Sequence, residues 1–237
     1  VGRAALRGAT TLEEELTLSA EEVRVTGALI EKQVTTPEYY PLTLNALVNA
    51  CNQINNRDPV VAYDEATVSR ALERLRDKRL AREVRTADGR VPKYRQVFEE
   101  VFGLSRAELA VMCVLMLRGP QTVGELRGRT ERLYPFSDIS FVEATLEGLS
   151  ERTEKRGPLV VRLPRQAGRK ESRYAHLLSG AVEFDAAADA AVAENPRRAA
   201  RASDDGRVGR LEEELAAVRR EVEELRREFA EFRRQFE

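Results

Sequence analysis

Leu18-Ser19-Ala20-Glu21-Glu22 opens a stretch that runs to Tyr94 and decides how the chain folds. Ser19 followed by Glu22 is a capping box: the hydroxyl takes an orphan amide of the first turn and the carboxylate reaches back. Beyond it, Val23, Ile30 and Val34 can share one helical face, ending before Thr36-Pro37. Pro41-Leu42-Thr43 restarts the chain with Thr43 as N-cap. Leu44, Leu47, Val48 and Cys51 then recur at i, i+3, i+4 and i+7, an amphipathic stripe facing a core. Asn52-Gln53-Ile54-Asn55-Asn56-Arg57-Asp58-Pro59 is a polar loop leading to a short strand at Val60-Val61. Its amides can bind a ligand, but Asn and Asp side chains more often mimic a turn and satisfy their own backbone. Asp64 caps a third helix with Val68, Ala71, Leu72 and Leu75 inside. Residues 81–85 and 91–95 alternate like strands around Asp88-Gly89, a hairpin signal. Three short helices closed by a two-stranded ribbon are the pattern of a winged helix.

A weaker copy spans residues 104–174. Ser105 and Glu108 form a second capping box, and the apolar run 109–117 reads as a deeply buried helix broken by Gly119-Pro120. Thr122 caps the next helix, and Asp138 or Ser137 the third, whose inner face is Val142, Thr145, Leu146 and Leu149. Residues 159–163 and 172–177 are the ribbon strands of this copy, joined by a loop containing Gly168. The expected architecture is mainly α with small β-wings, an α+β class. It comprises a mobile lead over 1–17, winged-helix domains over 18–98 and 104–180, an Ala-rich linker over 181–206 and a coiled-coil helix over 207–237.

The last segment is the most regular. Val208, Leu211, Leu215, Val218, Val222, Leu225, Phe229 and Phe232 alternate by three and four, the seam of a coiled coil. Flanking g positions are acidic (Glu214, Glu221, Glu228) and e positions basic (Arg219, Arg226, Arg233). In a parallel pair each glutamate meets an arginine of the partner; in an antiparallel pair like charges face each other. Each exposed contact is worth only about 0.2–1 kcal/mol, but reversal turns all of them repulsive, so a parallel homodimer is expected. Folding of this helix back onto its own domains is the competing reading.

The 237 residues carry a formal net charge of −1, so any attraction to polyanions must come from a local patch. The longest apolar run is too short to span a bilayer, and no signal peptide opens the chain. Cys51 and Cys113 sit in apolar helical patterns and read as buried, reduced thiols, which points to the cytoplasm. The single histidine, His176, has no metal-binding spacing around it. Without a Gly-rich phosphate loop, a nucleophile elbow or a metal-ligand cluster, no catalytic residue, metal or cofactor is expected.

Leu29-Ile30-Glu31-Lys32-Gln33-Val34-Thr35-Thr36-Pro37, Tyr40-Pro41-Leu42, Asn49-Ala50-Cys51-Asn52-Gln53 and Asn56-Arg57 resemble the YceH family of bacterial proteins. Leu117-Arg118-Gly119, Gln121-Thr122, Gly124-Glu125-Leu126-Arg127, Phe136-Ser137-Asp138 and Gly168-Arg169-Lys170-Glu171-Ser172-Arg173-Tyr174 carry the likeness through the second copy, over roughly residues 18–180. The resemblance implies a tandem winged-helix fold and no established biochemical role.

Winged helices often lay the third helix in the major groove while the wing touches phosphate or minor groove. In the first copy the outward face holds Arg70, Glu73 and Asp77, flanked by Ser69 and Arg74, and the wing adds Arg82, Arg85, Arg90, Lys93 and Arg95. Ser69, Arg70, Arg74, Arg85, Arg90, Lys93 and Arg95 are therefore the candidate duplex-DNA contacts. In the second copy that face holds Glu143, Glu147 and Glu151, which phosphate would repel, although Arg165, Arg169, Lys170 and Arg173 decorate its wing. The alternative function is a non-catalytic scaffold that binds a protein partner through those three carboxylates and the coiled coil.

Overall fold

The computed structural model describes residues 17–85, 91–153, 157–165 and 171–180. The chain divides into two units, Val1–Phe184 and Asp185–Glu237, and all described residues lie in the first. The expected N-terminal lead apart from Thr17, the linker and the whole coiled-coil seam from Val208 to Phe232 fall outside the described residues, as do Asp88, Gly89, Arg90, Arg169 and Lys170.

The described part is mainly helical with small antiparallel sheets. Its first half contains α1 (Ala20–Thr35), a 3-10 turn (Pro37–Tyr39), β1 (Leu42–Thr43), α2 (Leu44–Cys51), α3 (Glu65–Asp77), β2 (Ala81–Val84) and β3 (Lys93–Gln96). A short α4 (Phe98–Phe102) leads to α5 (Arg106–Arg118), α6 (Val123–Arg129), α7 (Ile139–Ser150), β4 (Val160–Arg162) and β5 (Tyr174–His176).

Local chemistry starts most of these helices. Ser19 and Ser105 cap α1 and α5 with full capping boxes to Glu22 and Glu108. Thr43, Asp64, Thr122 and Asp138 cap α2, α3, α6 and α7. Each such cap satisfies a first-turn amide and contributes about 1 kcal/mol.

Packing decides the rest, and it departs from the pattern in two places. Val60-Val61 forms no strand; instead β1 pairs with β3, giving a three-stranded sheet of order β1-β3-β2. The loop before those valines is held by helix ends, since Asp58 N donates to Leu117 O at 2.9 Å and Arg24 donates to Pro59 O. α1 is also not one-sided. Residues 22–31 are buried throughout, whereas Val34, expected inside, is 39% exposed. The covering element is α5, so α1 packs between its own half and the other. One apolar cluster therefore includes Leu29, Leu47 and Leu75 of the first half with Met112, Leu115 and Leu146 of the second. Leu18 N donates to Leu178 O at 2.7 Å, tying the start of the first half to the end of the second.

Three buried polar features pin this core. Arg57, whose side chain is 0% exposed, grips Glu31 with both terminal nitrogens at 3.1 and 2.7 Å and also donates to Ala50 O. Burial raises the Glu31 carboxyl, but the hydrogen bonds and charge of Arg57, helped by Lys32, outweigh it and hold the group below its usual range. Cys51 and Cys113 are free and buried, and desolvation pushes the Cys51 thiol up to about 12. Tyr40 accepts a 2.7 Å hydrogen bond from Gln96 N, fixing the end of β3.

His176 sits on β5 with its Nδ1 buried and unpartnered among the described residues, and desolvation drives the imidazole down to about 4. The unfolded chain takes up this proton near pH 6.5. Folded-state stability from the neutral ring is thus complete above about pH 6.5 and is lost as the pH falls toward 4. Between pH 7 and pH 5 the expected loss is about 2 kcal/mol, measured by urea unfolding and absent from His176→Leu. Because the chain has one histidine, its ring resonance can be followed alone and should titrate below pH 5.

Candidate nucleic-acid interface

α3 is a strongly two-faced helix. Val68, Ala71, Leu72 and Leu75 are buried, and Arg70, Glu73, Arg74 and Asp77 are exposed. Ser69 is half-buried at the edge of that face. At its start, hydrogen bonds from Thr67 hold the Asp64 carboxyl below its usual value, and Arg70 donates to Thr67 Oγ1 at 3.2 Å. Among the described residues neither Arg70 nor Arg74 forms an ion pair. Glu73 and Asp77 are equally unpaired, so these four outward side chains sum to no net charge.

The ribbon tips the balance. In the β2–β3 register Arg82 stands opposite Arg95, Glu83 opposite Tyr94 and Val84 opposite Lys93. Two arginines directly across strands repel unless something neutralises them. Glu100 reaches Arg95 at 3.1 Å, and Arg82 has no carboxylate partner among the described residues. Arg85 is 82% exposed and pairs with Glu83 at 2.7 Å, an exposed contact that solvent weakens. Glu83 also receives Arg76 at 3.4 Å, which ties the last turn of α3 to the ribbon. Of the four ribbon cations, Arg85 pairs with Glu83 and Arg95 with Glu100, which leaves Arg82 and Lys93 without an ion pair among the described residues. Of the expected set, Ser69, Arg70 and Arg74 lie on α3 and Arg85, Lys93 and Arg95 on or beside the ribbon, and Arg90 lies outside the described residues.

The outward face of α7, the corresponding helix of the second half, is acidic. Glu143, Glu147 and Glu151 are exposed along α7 and line a groove of about 750 Å³ against Arg162 and Arg165. At the start of α7, Ile139 and Phe141 are 45% and 44% exposed, and Phe141 joins Tyr134 and Phe136 in an aromatic cluster. Arg173 is drawn inward, where it donates to Pro120 O at 3.4 Å. Among the described residues no group of His, Cys, Asp or Glu could hold a metal ion, and no helix is long and apolar enough to cross a membrane.

Several charged residues were illegible as structural parts. Nothing in the residue pattern gives Glu31, Arg57 or Arg24 a place in the core, yet all three are buried. The only hint was their position within or beside apolar helical runs.

A family model described as "Protein of unknown function, DUF480" matches residues 18–169. The chain belongs to the DUF480 family. Similar DUF480-type chains carry the name UPF0502 protein. That of Pelobacter propionicus is 56% identical over 209 residues, covering 88% of this chain and 93% of the relative. That of Solibacter usitatus is 54% identical over 203 residues, with 86% and 93% covered. That of Opitutus terrae is 59% identical over 170 residues, with 72% and 73% covered. The DUF480 match takes in both halves of the fold, including α3, its ribbon and α7.

Proposed function

We propose that this DUF480 chain is a tandem winged-helix protein of the kind the YceH resemblance implies, and that it binds duplex DNA through α3 and the ribbon of its first half. The carrying observation is Arg70 and Arg74, exposed and without ion pairs among the described residues, on a helix whose attached ribbon adds Arg82 and Lys93, likewise without ion pairs there. The arginines reach base edges or phosphates, and the ribbon cations take backbone phosphates. The second half contributes packing rather than contact, because its three carboxylates on α7 repel a phosphate backbone. Residues 207–237 pair in parallel with a second copy and so present two such faces to one duplex. Sedimentation of the chain truncated before Val208 should then give half the mass of the full chain.

Fluorescence anisotropy with a labelled mixed-sequence duplex tests the reading. Binding at physiological salt is expected in the range of about 10⁻⁴–10⁻⁶ M for non-specific contact. Arg70→Ala with Arg74→Ala should weaken it at least about tenfold, the equivalent of about 1.4 kcal/mol. Glu143→Gln with Glu147→Gln should leave it intact or tighten it. Absence of binding at that salt contradicts the proposal.

A second reading rests on Ile139 and Phe141, apolar side chains left open beside a carboxylate stripe. Such a surface fits a basic, partly apolar protein segment. Under this reading a partner recovered from cells is lost when Glu143, Glu147 and Glu151 become lysine.

A further inference from the structure

A separate cleft of about 700 Å³ opens where the two halves meet. One wall is the last turn of α1 with the polar loop after α2; the other is the end of α5 with the end of α6 and the turn behind it. The volume lies in the range of small-molecule sites. Its chemistry divides by depth. Val114 and Leu117 supply an apolar floor, and Lys32, Arg118, Arg129 and Arg132 stand around it. Thr35, Gln53 and Asn55 add hydrogen-bonding groups.

The carboxylates neutralise this ring only in part: Glu31 pairs with Lys32 and Glu125 with Arg129, and Arg118 and Arg132 have no ion pair among the described residues. Glu31 is already saturated by Arg57 and Lys32. Glu131 lines the cleft but forms no ion pair among the described residues. Arg118 is half-buried and its partner is the neutral side-chain oxygen of Asn56. Its pKa is lowered by burial first and then by the nearby charges of Arg129 and Arg57. Arg129 is held by Gln121 and, at 3.4 Å, by Glu125; Arg132 is exposed and unpaired among the described residues. Cations held against one another around an apolar floor are unfavourable until an anion joins them. Guanidinium forks select phosphate or carboxylate oxygens.

We propose that this cleft binds a small organic phosphate, with the phosphate on Arg118 and Arg132 and an apolar body against Val114 and Leu117. The site is distinct from the α3 surface and uses elements of both halves, so its ligand stabilises the junction between them. The polar loop contributes both Asn56 and the Asp58 amide that docks on Leu117 O. Loop position and ligand occupancy are thereby coupled.

The test is calorimetric titration of the full chain with adenosine monophosphate and, separately, inorganic phosphate, two probes of similar charge. Adenosine monophosphate should bind saturably and at least about tenfold more tightly than phosphate, and raise Tm as a ligand of the native state does. Arg118→Gln with Arg132→Gln should cost at least about tenfold in affinity. Arg132→Glu alone, at an exposed position that leaves the fold intact, should do nearly as much. Arg70→Ala with Arg74→Ala should leave adenosine monophosphate binding unchanged. Equal affinity for the two probes overturns the apolar floor's role. No binding up to about 10 mM, far above the usual range of small-molecule sites, overturns the site. So does binding that survives Arg132→Glu, or binding that disappears only with the α3 variants.

Discussion

Arg57→Met lowers the free energy of unfolding by about 3–5 kcal/mol. The guanidinium is fully enclosed and holds Glu31 by two hydrogen bonds, while its other protons go to Ala50 O and Asn56 O. Removing it leaves a buried carboxylate with Lys32 as its nearest charge, at 3.3 Å. Desolvation, now opposed only by that lysine, drives the Glu31 pKa upward. The variant's stability must then become less dependent on acid. In the wild type, Glu31 stabilises the fold above the ordinary glutamate pKa, and that contribution fades as the pH falls through its depressed folded value. The control is Arg57→Met with Glu31→Leu. Replacing both charges by apolar groups restores much of the loss, because the destabilisation comes from the orphaned partner rather than from a missing attraction. Urea midpoints of the three proteins at pH 7 decide the matter. A double variant as unstable as Arg57→Met would show that packing, not charge, is what Arg57 supplies.

The second large effect concerns two glycines with opposite expected signs. A Cβ on Gly27 would lie 2.9 Å from both Cγ and Cδ2 of Leu117 and 3.2 Å from Met116 Cβ. Here α1 and α5 approach so closely that Cys113 Sγ donates to Gly27 O at 3.4 Å. Alanine gains about 1 kcal/mol over glycine in a helix, but overpacking of a tight core costs about 1–3 kcal/mol. Gly27→Ala is therefore net destabilising, and Gly27→Leu, which must push the two helices apart, costs about 3 kcal/mol or more. Gly148 on α7 has nothing within 4 Å of its would-be Cβ. Gly148→Ala keeps the propensity gain without the clash and raises stability by about 0.5–1 kcal/mol. Thermal unfolding of the two alanine variants should move Tm in opposite directions.

Those two sites show what the residue pattern could and could not reveal. The caps at Ser19, Thr43, Asp64, Ser105 and Thr122 form as read, and Asp138 rather than Ser137 caps α7, because each hydrogen bond closes within three residues. The inner and outer faces of α3 were legible for the same reason of short-range periodicity. The burial of α1 on every side was not, since its cover is α5, contributed by a segment more than eighty residues away. Val60-Val61 has the β-branched composition of a strand, but its neighbours are claimed by Arg24 and the end of α5. Leu42–Thr43, with two residues, is too short to show alternation, and it takes the ladder place beside β3 instead. The cationic cleft was invisible for a related reason: Lys32, Arg118 and Arg132 are scattered in sequence and meet only when the halves close on each other.

The contrast between the cationic ribbon of the first half and the acidic outward face of α7 is most directly tested by the salt dependence of duplex binding. The slope of log K against log salt should become shallower by about 0.9 for each phosphate that a variant no longer neutralises. Arg82→Ala with Lys93→Ala should therefore flatten it by about 1–2, and Glu143→Gln with Glu147→Gln should leave it unaltered or steepen it. A slope unmoved by the ribbon variants, or flattened by the α7 variants instead, would contradict duplex binding by the first half.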